Sequence, residues 1–277
     1  MIDLAPQNPY ALTIASPIIA AAGSLGYGVE VARHLGLGSR PATHGLGAIF
    51  TRGTSLRPQK SRPLQDMIET PAGLLCRGWA HNPGMRAVRE RFAPIWATWD
   101  LPVVVSIWGE SVADVAEAAA QLEGVEGVAG VELSLAAHGA LTPEAAGRLV
   151  AAVRRATMLP LVVKLPGHAP DTLALARAAV ERGADTLALI DGLPATTPMP
   201  DGSLAEGMLC GPAIAPLALR LVAAVCAEVS VPVIGIGGMR DAAGARAMLA
   251  AGATAVGLGS ALLTDLRTAT RVAGGIM

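Results

Sequence analysis

The chain has 277 residues, a formal net charge of −1 and a hydrophobic fraction of 52%, yet only 3% of it is aromatic. The near-neutral balance gives no reason to expect a nucleic-acid or acidic-membrane partner, and no apolar run reaches the roughly 20 residues that span a bilayer. Three scattered cysteines, Cys76, Cys210 and Cys226, lack CxxC or CxxH spacing and read as reduced intracellular thiols, neither a disulfide frame nor a zinc site. That reading places the chain in the cytoplasm.

In chain order, short apolar runs predict strands at 17–22, 47–51, 102–107, 131–136, 161–165, 186–190, 232–236 and 255–258. The apolar stretch 11–25 has no basic region before it and is flanked by prolines, which argues against a signal peptide. Helical patterns fall between the strands at 111–123, 142–157, 170–182, 216–228 and 240–251. The second opens with TPEA, which supplies Thr142 as N-cap and Pro143 at the first helical position. The apolar residues are mostly Ala, Val and Leu, which suits parallel strands buried on both faces, or a buried interface between copies of the chain such as a homodimer. Eight strands alternating with helices, without a low-complexity linker, predict an α/β chain folded as a single (β/α)8 TIM barrel over 1–277. Two Pro- and Gly-rich stretches, 52–84 and 191–215, break the alternation. Both leave the C-terminal rim, where active sites of such barrels sit, and are expected to cover the mouth.

The last two strands end in glycine turns, PVIGIGGM at 232–239 and AVGLGS at 255–260. Turns of this kind after strands 7 and 8 present backbone N–H groups to a phosphate, with no Cβ in the way. A phosphorylated ligand is the expectation.

The order of motifs resembles the dihydroorotate dehydrogenase family, most closely the class paired with an iron–sulfur flavoprotein subunit. The resemblance runs through AAGSLGYG at 21–28, GAIFTRGTSLRP at 47–58, ETPAGLLCRGWAHNPG at 69–84, LVVKLPG at 161–167, GPAIAPLALR at 211–220 and the two glycine turns. It implies FMN as cofactor and an electron-transfer partner subunit. It also implies flavin contacts from Ser24, Arg52, Gly53, Lys164, Ile190, Gly211, Gly237, Gly238, Gly259 and Ser260. Lys164 matches a lysine at the ring's N1/O2 edge, where a cation stabilises negative charge on the reduced flavin; read from the strand alone, it is equally a snorkelling surface lysine. Arg52 stands where the family has a lysine, which keeps the charge but changes the head group's geometry.

The substrate side departs from the family pattern. Cys76, Ser134, Gly139 and Asp191 stand where the resemblance implies orotate-binding asparagines, and Ser106 replaces another asparagine near the flavin. Ala137 occupies the position of the catalytic cysteine or serine, and alanine removes no proton. The Gly-rich lid expected to follow is missing, since the next helix starts at Thr142. His138, one residue past the missing base, titrates near neutrality and is the candidate replacement, against the alternative of a solvent-exposed loop histidine. Cys76 and Asp191 are candidates to face a substrate. His81 reads as a loop residue that packs against or caps the following helix, and Arg77 and Arg240 as surface residues. No carboxylate or histidine cluster has metal-ligand spacing. Three functions remain open. They are an FMN oxidoreductase of this type acting on a different small molecule, a working dihydroorotate dehydrogenase of pyrimidine biosynthesis with an unusual site, and a non-catalytic flavin- or phosphate-binding barrel serving a partner.

Overall fold

A computed structural model describes residues 1–38, 44–60, 67–77, 80–138 and 141–276. Each of the eight apolar runs forms a strand: β1 (Ile18–Ala20), β2 (Ala48–Phe50), β3 (Val103–Ile107), β4 (Gly130–Ser134), β5 (Leu161–Lys164), β6 (Thr186–Leu189), β7 (Val233–Ile236) and β8 (Ala255–Leu258). They pair in parallel in chain order, and β8 closes on β1, so the sheet is the eight-stranded barrel that the alternation predicted.

Alternation along each strand divides the apolar residues between two cores. Val103, Val105, Ile107, Leu161 and Val163 pack outward with the helices. Val104 and Val162 face a separate interior cluster with Ile19, Phe50, Ala188 and Ile234. Ser106 and Lys164 take the next positions of the same period on β3 and β5, which carries them into the barrel near its C-terminal mouth. At the opposite end, a short hairpin (Ile2–Asp3 with Thr13–Ile14) adds Leu4, Leu12 and Ile14 to the interior cluster. The Thr186 hydroxyl, where β6 begins, donates to the Leu4 carbonyl and pins this plug in place.

The helices begin where side chains satisfy their free N–H groups. Ser111 Oγ accepts from Asp114 N (3.1 Å) ahead of Val112–Ala120, and Thr142 Oγ1 accepts from Ala145 N (3.3 Å) ahead of Pro143–Ala156. Asp171 and Asp241 cap Thr172–Glu181 and Ala242–Ala250 in the same way, at 2.8 Å each. Those two helices therefore start later than hydropathy alone suggested. The helix expected at 216–228 spans Ala215–Cys226.

The two rim stretches are more regular than expected. Met67–Thr70 and Gly73–Cys76 from the first join Leu193–Pro198 and Leu204–Cys210 from the second in one four-stranded antiparallel sheet. Pro194 and Pro198 lie on an edge strand of it, where proline is tolerated. Asn82 ties down the end of the first stretch. Its side chain accepts from Ser55 N (3.2 Å) and Gly84 N (2.9 Å) and donates to Ala80 O (2.8 Å).

Candidate active site at the barrel mouth

The glycine turns after β7 and β8 meet the turn that opens at Gly211. A Cβ on Gly238 (φ +74) would lie 2.5 Å from the Gly211 carbonyl oxygen. A Cβ on Gly211 (φ +106) would lie 2.8 Å from Gly73 Cα and 3.5 Å from Ser260 Oγ. These backbones touch because both positions are glycine and both need positive φ. At Gly259, by contrast, an added Cβ would meet nothing within 4 Å. A cradle of apposed backbone with open space in front of Gly259 fits a phosphate group.

Around the ring end, the structure places a buried charge pair. Lys164 is 2% exposed, so it is not a snorkelling surface lysine, and its Nζ lies 3.4 Å from Glu132 Oε2. The other Glu132 oxygen accepts from Ser106 Oγ at 2.8 Å. Burial alone would lower the Lys164 ammonium's pKa. The Glu132 and Asp191 carboxylates and the Cys210 thiol outweigh it and hold the lysine above its ordinary value. Lys164 is therefore a fixed cation at neutral pH. Glu132 was not singled out from the sequence. Its one trace there is a carboxylate inside an apolar strand, VELS, where a buried acid needs a partner.

The same field links the candidate substrate residues. Asp191 bears electrostatically on Lys164, Cys76 and Cys210, so these four side chains share one region of the mouth. Ser134 ends β4 directly opposite Lys164 in the β4–β5 register. Ala137 and His138 follow on a short 3-10 turn, Leu135–His138. His138 is half-buried, which corrects the exposed-loop alternative. Its Nδ1 lies 3.1 Å from the Ser134 carbonyl, which only accepts, so Nδ1 donates there. Nε2 is buried without a protein partner, as is Nδ1 of His168, four residues past Lys164. His168 had no signal in the sequence beyond its place after a strand end.

The remaining expected flavin contacts lie on the same rim. Ser24 is buried and donates from Oγ to Ala21 O (2.7 Å) in the turn after β1. Arg52 follows β2 and its N–H donates to Gly26 O (2.7 Å). A Cβ on Gly53 would lie 3.3 Å from Trp108. Ile190 follows β6, its N–H donating to Ile236 O (2.8 Å), and its side chain packs toward Gly237 and Gly167. Nearby, burial pushes the Tyr27 phenol up to about 12, against a 3.0 Å hydrogen bond with Thr54 Oγ1. His81 is exposed; Asn82 beside it makes the contacts expected of His81. Arg77 and Arg240 are exposed, as expected. Gly139 lies outside the described residues. Among the described residues, no group of three or more His, Cys, Asp or Glu side chains is placed to hold a metal ion. No helix among them is long and apolar enough to cross a membrane.

A closed (β/α)8 barrel with a backbone phosphate cradle and a buried lysine at its mouth defines a cofactor-dependent α/β-barrel enzyme. The family model described as dihydroorotate dehydrogenase matches residues 6–277, and the chain belongs to that family of FMN-dependent oxidoreductases. It is 36% identical to a dihydroorotate dehydrogenase B (NAD(+)) catalytic subunit of Geotalea daltonii, over 96% of this chain and 89% of the relative. Catalytic subunits of the same name from a Geobacter species and from Desulforudis audaxviator are each 35% identical. They cover 93% and 95% of this chain, and 87% and 88% of their own lengths.

Proposed function

We propose that the chain, as one FMN-binding barrel over 1–277, oxidises or reduces a small molecule other than dihydroorotate. The observation that carries this reading is Ala137 on the turn after β4, at the position the resemblance assigns to the catalytic base. When bound, FMN supplies the two-electron chemistry. The chain's residues would then divide the work. Gly211, Gly237, Gly238, Gly259 and Ser260 hold the phosphate through backbone and hydroxyl donors. Lys164, kept charged by Glu132, stabilises negative charge at the ring, and Ser24, Arg52, Gly53 and Ile190 position it.

On the substrate side, His138 holds its proton on Nδ1 and offers Nε2 as the base. Cys76, Ser134 and Asp191 would meet the substrate. They replace amides, which both donate and accept, with a thiol, a hydroxyl and a carboxylate. An acceptor-only carboxylate at Asp191 favours a substrate that presents a hydroxyl or amine. The relatives' names speak of a catalytic subunit and NAD(+). By that analogy, electrons would pass through a separate electron-transfer subunit; the Ala-, Val- and Leu-rich composition and the unpaired cysteine spacing are the support for a cytoplasmic homodimer.

The test is anaerobic mixing of the FMN-loaded chain with dihydroorotate while flavin absorbance is followed. Absent or very slow bleaching, with fast bleaching by a chemical reductant, supports the reading. Rapid bleaching by dihydroorotate overturns it.

A further inference from the structure

Cys76 and Cys210 come from opposite rim stretches, 134 positions apart in the chain, yet the four-stranded sheet sets them side by side. Cys76 pairs with Met208 and Cys210 with Leu74, so the two cysteines are diagonal neighbours on one face of the sheet. The backbones are held close where they cross: a Cβ on Gly73 would lie 2.0 Å from the Cys210 carbonyl oxygen. Cys210 Sγ donates to the carbonyl of Met208 (3.7 Å), the residue that pairs with Cys76, and each thiol bears on the other's ionisation. Cys76 lines an open groove of ≈ 600 Å³ with Arg77, Pro194, Thr196, Glu206 and Met208, whereas Cys210 stands behind it with its Sγ against Gly192. Cys226, at the end of its helix, takes no part.

We propose that Cys76 and Cys210 form a redox-active dithiol that exchanges with low-molecular-weight disulfides, with Cys76 as the attacking sulfur and Cys210 as the resolving one. The two thiols are unlike in the way this division needs. The neighbouring Cys210 thiol lowers the Cys76 thiol's pKa, against burial and the Asp191 carboxylate. The neighbouring Cys76, then burial and the Asp191 charge, raise Cys210 despite Lys164.

The Cys76 thiolate attacks one sulfur of the incoming disulfide, forms a mixed disulfide and expels the first thiolate. That thiolate takes the Cys210 proton. Cys210 then attacks the Cys76 sulfur, forms the Cys76–Cys210 disulfide and expels the second thiolate. Two protein thiols are oxidised and one external disulfide is reduced to two thiols. Diagonal neighbours stand about 7–8 Å apart, so closing to a bond of about 2.05 Å requires the two strand ends to draw together. Cys76 is the last residue of its strand, so the movement falls at a strand end, where Cys76 is paired with Met208 on one side and Met67 on the other.

The experiment uses the full chain carrying Cys226→Ser, exposed to oxidised glutathione, quenched by alkylation and read by intact and peptide mass. The expected product has lost two hydrogens, carries a Cys76–Cys210 linked peptide and retains no glutathione. Cys210→Ser should retain one glutathione on Cys76, and Cys76→Ser should react at least about 10-fold more slowly. Stable glutathione on the Cys226→Ser chain, no reaction of that chain, or equal rates for the two single-cysteine variants would overturn the proposal. None of these readouts depends on the cofactor or on turnover.

Discussion

The candidate phosphate end of the mouth is made of backbone, and the candidate substrate end is made of side chains. A Cβ at Gly238, after β7, would meet the Gly211 carbonyl oxygen, and a Cβ at Gly211 would meet the Gly73 backbone. Around the ends of β4 to β6 and on the rim sheet, by contrast, the candidate substrate contacts are the side chains of Ser134, His138, Asp191 and Cys76. A site built from backbone is preserved by glycine alone. A site built from side chains can be remade one substitution at a time, which is the contrast on which the proposed change of substrate rests.

The largest effect that would break this comparison concerns turnover. We expect dihydroorotate to reduce the FMN-loaded chain about 10²–10⁴-fold more slowly than a base-equipped site allows. Ala137→Cys alone should restore little, because the residues at 76, 134 and 191 still lack amides. Bleaching at about 1 s⁻¹ or faster would show that the substrate end is intact, and His138→Ala would then test the replacement base.

Next in size is the buried pair between the two ends. Lys164→Met leaves Glu132 buried and uncompensated, with an expected loss of about 3–5 kcal/mol of stability by denaturant unfolding. Lys164→Met combined with Glu132→Leu should recover much of it. If the single variant were as stable as the unmodified chain, Lys164 would not be a structural cation.

The phosphate end is sharpened by a contrast between two glycines. Gly259→Leu points into open space, so the chain should fold with an unchanged melting temperature but bind FMN roughly 100-fold more weakly, about 2.7 kcal/mol. Gly238→Ala should instead lower the melting temperature, because its methyl group meets backbone. Equal FMN affinity in Gly259→Leu and the unmodified chain would place the phosphate elsewhere.

A smaller effect comes from Tyr27. Its folded value of about 12 lies above the ordinary 10, so the folded chain keeps a proton that the unfolded chain releases. The stabilisation is full below pH 10 and disappears as pH rises towards 12, a fall of about 2–3 kcal/mol. Tyr27→Phe should remove that part of the pH dependence in unfolding titrations. Smallest of all, Thr142→Ala should cost about 1 kcal/mol through the lost helix cap, with flavin binding unchanged.

The sequence by itself determined the eight strands, the principal helices and the glycine turns after β7 and β8. Each is written locally: a short apolar run makes a strand, Ser111 or Thr142 caps a helix, and a glycine marks where the backbone must turn or come close. Tertiary structure decided what lies across the mouth. Nothing local in 52–84 or 191–215 specifies that they pair, because strand pairing between distant segments depends on the barrel bringing their ends together. Cys76 therefore met Cys210 without any spacing to announce it. Glu132 met Lys164 and Ser106 because neighbouring barrel strands bring their inward positions together, and a single carboxylate in an apolar strand names no partner. His138 was legible as a residue near the missing base, but its free Nε2 depended on the Ser134 carbonyl, a geometry set by the 3-10 turn that ends β4.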